Sequence, residues 1–283
     1  MLARGNQHWS RYSVLAAVLL LFGQKPCNAG LLDAVRGEVR EEHSGSNAPK
    51  KPRGSSSSYC DGSDDASDTI GWICLYTVAS PFLVPRALLQ DEGGEAFFPR
   101  FPFDGHRGHL AVESPERDHV KLWGLRLSGE YASNLSDVER LTGKALLSMP
   151  FRLGIDTQWN YLHEQLPTGR TDDLWTGDFN LVYRFAQADW AEFRAGAGLN
   201  WFADRMGDRY GFNFTYGWDL TCLRPFIWST EFDIGSLGDA LLFHGRTTIG
   251  VEYRHVELFV GYDYTSYESA HLHGLISGLR LWF

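Results

Sequence analysis

The sequence predicts an all-β fold: an antiparallel transmembrane β-barrel of about ten strands, preceded by a signal peptide and an irregular periplasmic N-terminal segment. Residues 121–283 alternate between apolar and polar side chains with a period of two, which is the spacing of a strand with two unlike faces. Eight of the eleven prolines precede this region, so its strands can form unbroken ladders. The connections also alternate in length, as in membrane barrels with short turns on one side and longer loops on the other.

The strands are placed where the alternation is strongest. In residues 191–201, Phe193, Leu199 and Trp201 share one face, and Arg194 and Asn200 share the other. Tight turns are expected near Pro150, Ala188, Arg224 and His255, and longer loops near 133–137, 163–173, 204–210, 237–241 and 268–269. A count of eight or twelve strands stays open, because a weak edge could be miscounted or residues 70–85 could join the wall. The predicted strands cover 121–132, 138–149, 151–162, 174–186, 190–203, 211–223, 226–236, 242–254, 256–267 and 270–283.

Alternation alone does not say which face is inside. A soluble barrel would direct its apolar face inward and its charges into water. Here the apolar face is bulky and aromatic, and its aromatic residues concentrate near both strand ends around a middle of smaller residues such as Ala195 and Val260. Two aromatic girdles of this kind fit the two interfaces of a bilayer. The polar face is therefore expected to line the interior.

The polar face carries both signs of charge, which can pair across a narrow lumen. Ten strands enclose a space that long charged side chains nearly fill. The predicted interior charge network comprises Arg126, Glu130, Lys144, Arg152, Asp156, Asp178, Arg184, Glu192, Arg194, Asp219, Glu231, Asp233, Arg246, Glu252, Glu257, Asp263 and Arg280.

The last strand ends in an alternating apolar series that includes Leu279, Leu281 and the terminal Phe283. This resembles the C-terminal β-signal of bacterial outer-membrane barrel proteins, and residues 174–185 and 211–217 look like an uncharacterised family of such barrels. The resemblance implies recognition by the barrel-assembly machinery, contact with outer-membrane lipids and lipopolysaccharide, and no particular activity.

The N-terminus has the pattern of an exported protein. Arg4 and Arg11 flank an apolar stretch at 12–23, and small residues precede Gly30, which predicts a signal peptide over 1–29. Its removal would lower the formal net charge from −9 to −12. Residues 30–69 are expected to form a polar, disordered linker with one short amphipathic helix near 31–42.

Residues 70–120 are apolar, aromatic and rich in proline. Because Pro81 and Pro85 argue against a continuous helix, this part is expected to be an irregular segment that packs on the barrel, as a collar or a plug. Residues 30–120 as a whole are expected on the periplasmic side, where they could contact a partner. Whether Cys60 and Cys74 form a disulfide stays open.

Composition limits the function classes. No window has the roughly 20 apolar residues of a transmembrane helix, and the acidic balance argues against nucleic acid as a partner. No cofactor or metal is expected: His271 and His273 share a strand face but lack a third ligand, and the pair His106 and His109 lies in an irregular segment.

Three roles stay open: a structural or binding barrel with a charge-filled lumen, a narrow passive channel, and an outer-membrane hydrolase. No catalytic residue is assigned. A hydrolase acting at the rim would pair a carboxylate with a histidine, but no spacing selects a pair, and no serine–histidine pair is evident on the outer strand faces. The candidate rim residues are His163, Glu164, Asp172, Asp173, Asp204, Asp208, Asp239, His244 and His271.

Overall fold

The computed structural model describes residues 30–40, 79–104, 108–112, 120–133 and 138–283. The predicted signal peptide, most of the predicted polar linker, Cys60, Cys74 and His106 lie outside the described residues. Neither helix within the described residues is long and apolar enough to cross a membrane.

Ten antiparallel strands form a closed barrel, as the alternation predicted. Each strand pairs with its neighbours in sequence, and β1 pairs with β10, with Leu127 opposite Leu281. The strands are β1 (Gly124–Ser133), β2 (Val138–Ser148), β3 (Leu153–Gln165), β4 (Thr171–Ala188), β5 (Ala191–Asp204), β6 (Gly207–Leu223), β7 (Phe226–Leu237), β8 (Ala240–Tyr253), β9 (Val256–Tyr267) and β10 (Ala270–Trp282).

The two ends of the barrel differ in what they hold. The turn end carries the connections 149–152, 189–190, 224–225 and 254–255 together with Phe283. The distal end carries the connections 134–137, 166–170, 205–206, 238–239 and 268–269. The expectation of longer loops at this end was wrong, because β4 and β6 continue through residues predicted to lie in loops.

Helix α1 (Leu31–Arg40) lies in the mouth of the barrel at the distal end. Its apolar residues recur at Leu32, Val35 and Val39, which places them on one face of the helix, and all three are buried. They pack on a ring of inward apolar side chains from the strand ends: Val138, Leu162, Leu174, Phe202, Leu237, Ala240, Leu242, Tyr267, Ala270 and Leu272. Burial of this shared apolar surface holds the helix in the mouth.

A second helix, α2, covers residues 79–89 and packs on the outside of the wall. The Phe82 ring lies 5.1 Å from the Phe185 ring and 5.9 Å from the Tyr216 ring. The expectation that prolines would prevent a helix here was wrong. Pro85 has no N–H to donate to the carbonyl of Pro81 four residues earlier, and the Tyr216 hydroxyl donates to that carbonyl instead, at 2.8 Å.

The chain after α2 covers the turn end. The backbone of Phe97 pairs with Val112, and that of Phe98 pairs with Lys121. Phe98 and Phe103 are buried, and the N–H of Leu110 donates to the Asp189 carbonyl in the β4–β5 turn at 2.7 Å. Both ends of the barrel are therefore occupied by segments of the same chain.

Candidate functional site: the charged interior and the distal rim

The barrel has its polar face inside and its apolar face outside. Asp156 and Glu257 are 1% and 0% exposed, whereas Trp159 and Val260, on the other face, are 60% and 61% exposed. All of the residues predicted to fill the interior are buried except Asp178, which is half-buried. The interior is charged, and ion pairs connect most of its members.

Glu231 is the centre of the largest group of ion pairs. Its carboxylate contacts Lys144, lies 3.2 Å from Arg194 Nη2 and lies 3.4 Å from Arg246 Nη2. Each of these cations has a second carboxylate partner: Lys144 pairs with Asp156 at 3.3 Å, Arg194 with Asp219, and Arg246 with Glu130 at 2.7 Å. One carboxylate on β7 thus joins side chains from six strands.

Two ion pairs of the interior span the full diameter of the barrel. Arg126 on β1 contacts Asp219 on β6 at 2.8 Å, and Lys144 on β2 contacts Glu231 on β7. In each case the two strands stand five places apart in a ring of ten. Side chains that meet across the axis obstruct the lumen at that level.

His244, a predicted rim residue, lies inside the barrel. His244 is buried between two carboxylates, with Nδ1 2.8 Å from Asp233 and Nε2 2.8 Å from Asp263. Arg140, which the sequence analysis missed, completes this group at 2.8 Å from Asp263. The alternation of β2 could have identified it, because Arg140 lies four residues before Lys144 and therefore on the same strand face. Arg280 and Glu257 form a further pair at 2.6 Å.

Arg152, predicted in the lumen, belongs to the turn end instead. It lies in the β2–β3 turn with a φ of 67°, and its guanidinium donates to both carboxylate oxygens of Asp91 at 2.6 Å. Burial opposes ionisation of Asp91, but the hydrogen bonds from Arg152 and from the N–H groups of Gly93 and Gln187 outweigh it and hold the pKa of this carboxyl below its usual range. This pair fastens the segment after α2 to the barrel.

Two other predicted interior residues also contact the turn-end segment. The Arg184 guanidinium lies 4.6 Å from the centre of the Phe98 ring and 3.7 Å from the Glu192 carboxylate. Glu252 accepts a hydrogen bond from the Phe103 N–H at 3.4 Å. These charges therefore hold the segment in place rather than extending the central network.

Three of the acidic rim candidates hold α1. Glu164 accepts hydrogen bonds from the first N–H groups of the helix, at 2.6 Å from Leu31 and 2.9 Å from Leu32, where an anion is favoured. Arg36 reaches Asp172 at 2.9 Å and Asp204 at 2.7 Å. Arg40 also contacts Asp204. These carboxylates have structural partners, which leaves them poorly placed to act as bases on water.

The remaining acidic rim candidates do not form one cluster. His163 Nδ1 lies 2.5 Å from Asp173, which also accepts a hydrogen bond from the Tyr161 hydroxyl at 2.8 Å. Asp208 and Asp239 are exposed. The structure thus joins one histidine and one carboxylate on the outer face of the distal rim.

The last rim candidate, His271, has a serine as its neighbour. Ser266 Oγ lies 2.9 Å from His271 Nδ1, and the Tyr264 hydroxyl lies 3.2 Å from the same nitrogen. The expectation that no such pair exists on the outer strand faces was wrong. The β9–β10 turn at 268–269 places residue 266 opposite residue 271, so the predicted turn contained the signal.

Space for a ligand is small among the described residues. A cavity of about 40 Å³ lies between the turn-end segment and Arg126, and a second of about 40 Å³ lies inside the barrel beside His244 and Asp233. Each can hold a few water molecules. No group of three or more metal-binding side chains occurs in the described part of the chain.

No family model and no curated protein sequence matches the chain.

Proposed function

We propose that the chain is an integral barrel of the bacterial outer membrane, closed by its own side chains and N-terminal segments, with a structural or binding role. The observation that carries the proposal is the inverted distribution of polarity, with ion pairs buried inside and large apolar side chains exposed on the wall. In water this wall would be an apolar patch far larger than soluble monomers expose. In a bilayer the same side chains contact lipid, and the closed barrel leaves no strand edge unpaired.

Aromatic contacts on the outer face support this environment. A chain of ring contacts runs around the wall from Phe185 through Tyr216 and Trp218 to Phe232, with centroids 5.6–6.1 Å apart. Tyrosine and tryptophan are favoured at membrane interfaces, where one part of the ring is apolar and another is polar. Tyr161 and Trp175, 5.0 Å apart, stand near the distal end of the wall.

Helix α2 fits the same surroundings. Leu83, Val84 and Leu88 are exposed on the side of the helix away from the wall. A carbonyl without a helical donor is expensive in lipid, and Tyr216 supplies the missing donor to Pro81. With the turn end in the periplasm, α1 occupies the outer mouth, which is opposite to the periplasmic side predicted for residues 30–120. Residues 91–104 and 108–112 then cover the periplasmic end.

The proposed orientation, with the turn end in the periplasm, is inferred from the C-terminal strand. Leu279, Leu281 and Phe283 are exposed on the outer face of the last strand, where the barrel-assembly machinery could read them. The partners we propose are this machinery, outer-membrane lipids and lipopolysaccharide. Export through the periplasm by the predicted signal peptide belongs to the same proposal.

A narrow channel is the second candidate, but the ion pairs that cross the interior oppose conduction in the closed structure. Conduction would require both end segments to move and the pairs Arg126–Asp219 and Lys144–Glu231 to separate. Breaking a buried ion pair leaves charges without partners and costs about 3–5 kcal/mol. A hydrolase with His163 and Asp173 at the distal rim is the third candidate, supported by their 2.5 Å contact.

Gel mobility and conductance test the proposal together. The purified chain should migrate faster on an SDS gel before boiling than after it, because a closed barrel resists SDS. In planar bilayers, the wild type and a variant lacking residues 31–40 should both stay non-conducting, since the central ion pairs remain. Unchanged mobility would contradict the membrane barrel. Discrete conductance by the heat-shifting wild type would favour the channel.

A further inference from the structure

The distal rim presents a serine and a histidine side by side on the outer face of the barrel. Ser266 and His271 are directly opposite in the β9–β10 register. Their sequence neighbours Thr265, Tyr267 and Leu272 are buried in the interior, so the pair points outward. Ser266 Oγ lies 2.9 Å from His271 Nδ1 and 3.4 Å from the Glu268 carbonyl. The shorter contact favours donation of the hydroxyl proton to the histidine.

We propose that Ser266 and His271 form the nucleophile and the general base of a hydrolase that acts on ester-linked acyl chains of membrane lipids. The inference rests on the proposed membrane location. A serine hydroxyl is a weak nucleophile until a neighbouring base takes its proton, and a hydrogen bond of this length is the geometry that this transfer requires.

The reaction needs only water as a co-reactant. As Ser266 Oγ bonds to the ester carbonyl carbon, His271 takes the hydroxyl proton. The carbon–oxygen bond to the alcohol then breaks, and His271 returns the proton to the departing oxygen. Water attacks the resulting acyl-serine, gives one proton to His271, and releases the fatty acid as the proton returns to Ser266 Oγ. The net change is one ester and one water converted to one acid and one alcohol.

Tyr264 is placed to assist this reaction. Its hydroxyl lies 3.2 Å from His271 Nδ1, and the two rings stack with centroids 6.0 Å apart. It lies two residues before Ser266 on the same strand face. A hydroxyl here can donate to the negatively charged oxygen that forms when the serine attacks, in the manner of an oxyanion hole.

The substrate class follows from the depth of the Ser266–His271 pair in the proposed membrane and from the side chains around it. The turn between β9 and β10 has two residues, so Ser266 lies one residue inside the end of its strand. In the proposed membrane this level is the interface, where the ester groups of lipids lie between head groups and acyl chains. The centre of the Phe243 ring lies 6.2 Å from that of Tyr264, with the ring planes 56° apart, and the centre of the Tyr262 ring lies 6.2 Å from that of His273. These rings offer an apolar surface to an acyl chain just below the pair.

Covalent labelling tests the nucleophile directly. The full-length mature chain, folded in detergent micelles, is treated with a fluorophosphonate probe, and the modified residue is identified by mass spectrometry. We expect an adduct on Ser266, no adduct in Ser266→Ala, and labelling at least about 100-fold slower in His271→Ala. Ser277→Ala is the matched control, because Ser277 is an exposed outward serine on β10. A hydrogen bond that only stabilises the hairpin would give no adduct on Ser266.

Hydrolysis in lipid identifies the substrate. Nanodiscs of ester-linked phosphatidylcholine should release fatty acid with the wild type and with the control Ser277→Ala, and at least about 100-fold more slowly with Ser266→Ala. Ether-linked phosphatidylcholine should release none. Vesicles containing lipopolysaccharide form a second arm, in which loss of its ester-linked acyl chains is followed by mass spectrometry.

The outcomes separate this inference from the proposed barrel. Release of fatty acid in either arm supports the hydrolase and identifies the lipid that it cleaves. A wild type that shifts on the SDS gel but neither labels nor releases fatty acid would overturn the hydrolase and leave the membrane barrel standing. If Ser266 is labelled but the chain shows no heat-dependent gel shift, the assignment of the nucleophile stands and the proposed membrane location is contradicted.

Discussion

Substitution of Glu231 by glutamine tests whether the interior ion pairs hold the barrel together. The change keeps the shape of the side chain but removes the negative charge that Lys144, Arg194 and Arg246 share. Removing one partner from a buried pair costs about 3–5 kcal/mol, because the other charge stays buried. Each of the three cations keeps a second carboxylate, so we expect the lower end of this range, about 3 kcal/mol.

The assay is equilibrium unfolding of the purified chain in detergent by guanidinium chloride, followed by tryptophan fluorescence. We expect the midpoint for Glu231→Gln to fall with an unchanged slope, since the surface exposed on unfolding stays the same. Asp208→Asn is the matched control: it removes the same charge at an exposed position on β6 and should change the free energy of unfolding by less than about 0.5 kcal/mol. Equal midpoints for the two variants would refute the view that the central network carries stability.

Three further predictions concern the segments that close the barrel. Tyr216→Phe should destabilise the docking of α2 by about 1–3 kcal/mol, because a carbonyl of the helix loses its donor. Hydrogen exchange measures this, with the exposed Tyr210→Phe as control. Arg36→Gln should speed tryptic cleavage after Arg40 of α1 roughly tenfold, since charged hydrogen bonds contribute about 1.5–3 kcal/mol. Asp33→Asn should not, because that carboxylate is mostly exposed. The folded pKa of Asp91 is lowered, so its stabilisation is present above the unfolded pKa of about 3.9 and is lost as the pH falls through the folded pKa. Wild type and Asp91→Asn should therefore differ in melting temperature at pH 6 and converge towards pH 2, and a constant difference would contradict this assignment.

Strand number and facing followed from the sequence because both depend on local alternation. A period of two assigns each side chain to a face without knowledge of its partners, so the interior charges were identified before their contacts were known. His244 was misplaced by proximity to a predicted loop: β8 begins at Ala240, and by parity position 244 then faces inward.

What the sequence did not predict depends on contacts between distant residues. The prolines of α2 are tolerated because Tyr216, 135 positions later in the chain, satisfies a carbonyl. Arg152 lies at the turn end, and not in the lumen as predicted, because its ion pair with Asp91 holds it there. The pair of Ser266 and His271 is different, since a two-residue turn fixes that register. It could have been found by pairing residues outward from the turn.

The outer environment of the barrel is the central claim, and tryptophan quenching tests it most directly. Trp159, Trp175 and Trp228 are exposed on the apolar face. In vesicles of lipids brominated along the acyl chains, we expect strong quenching of the tryptophan fluorescence and weak quenching by aqueous iodide, with Trp159→Phe and Trp228→Phe each lowering the fraction that bromine quenches. Tryptophans that iodide quenches and brominated lipid does not would place the wall in water and contradict the membrane barrel.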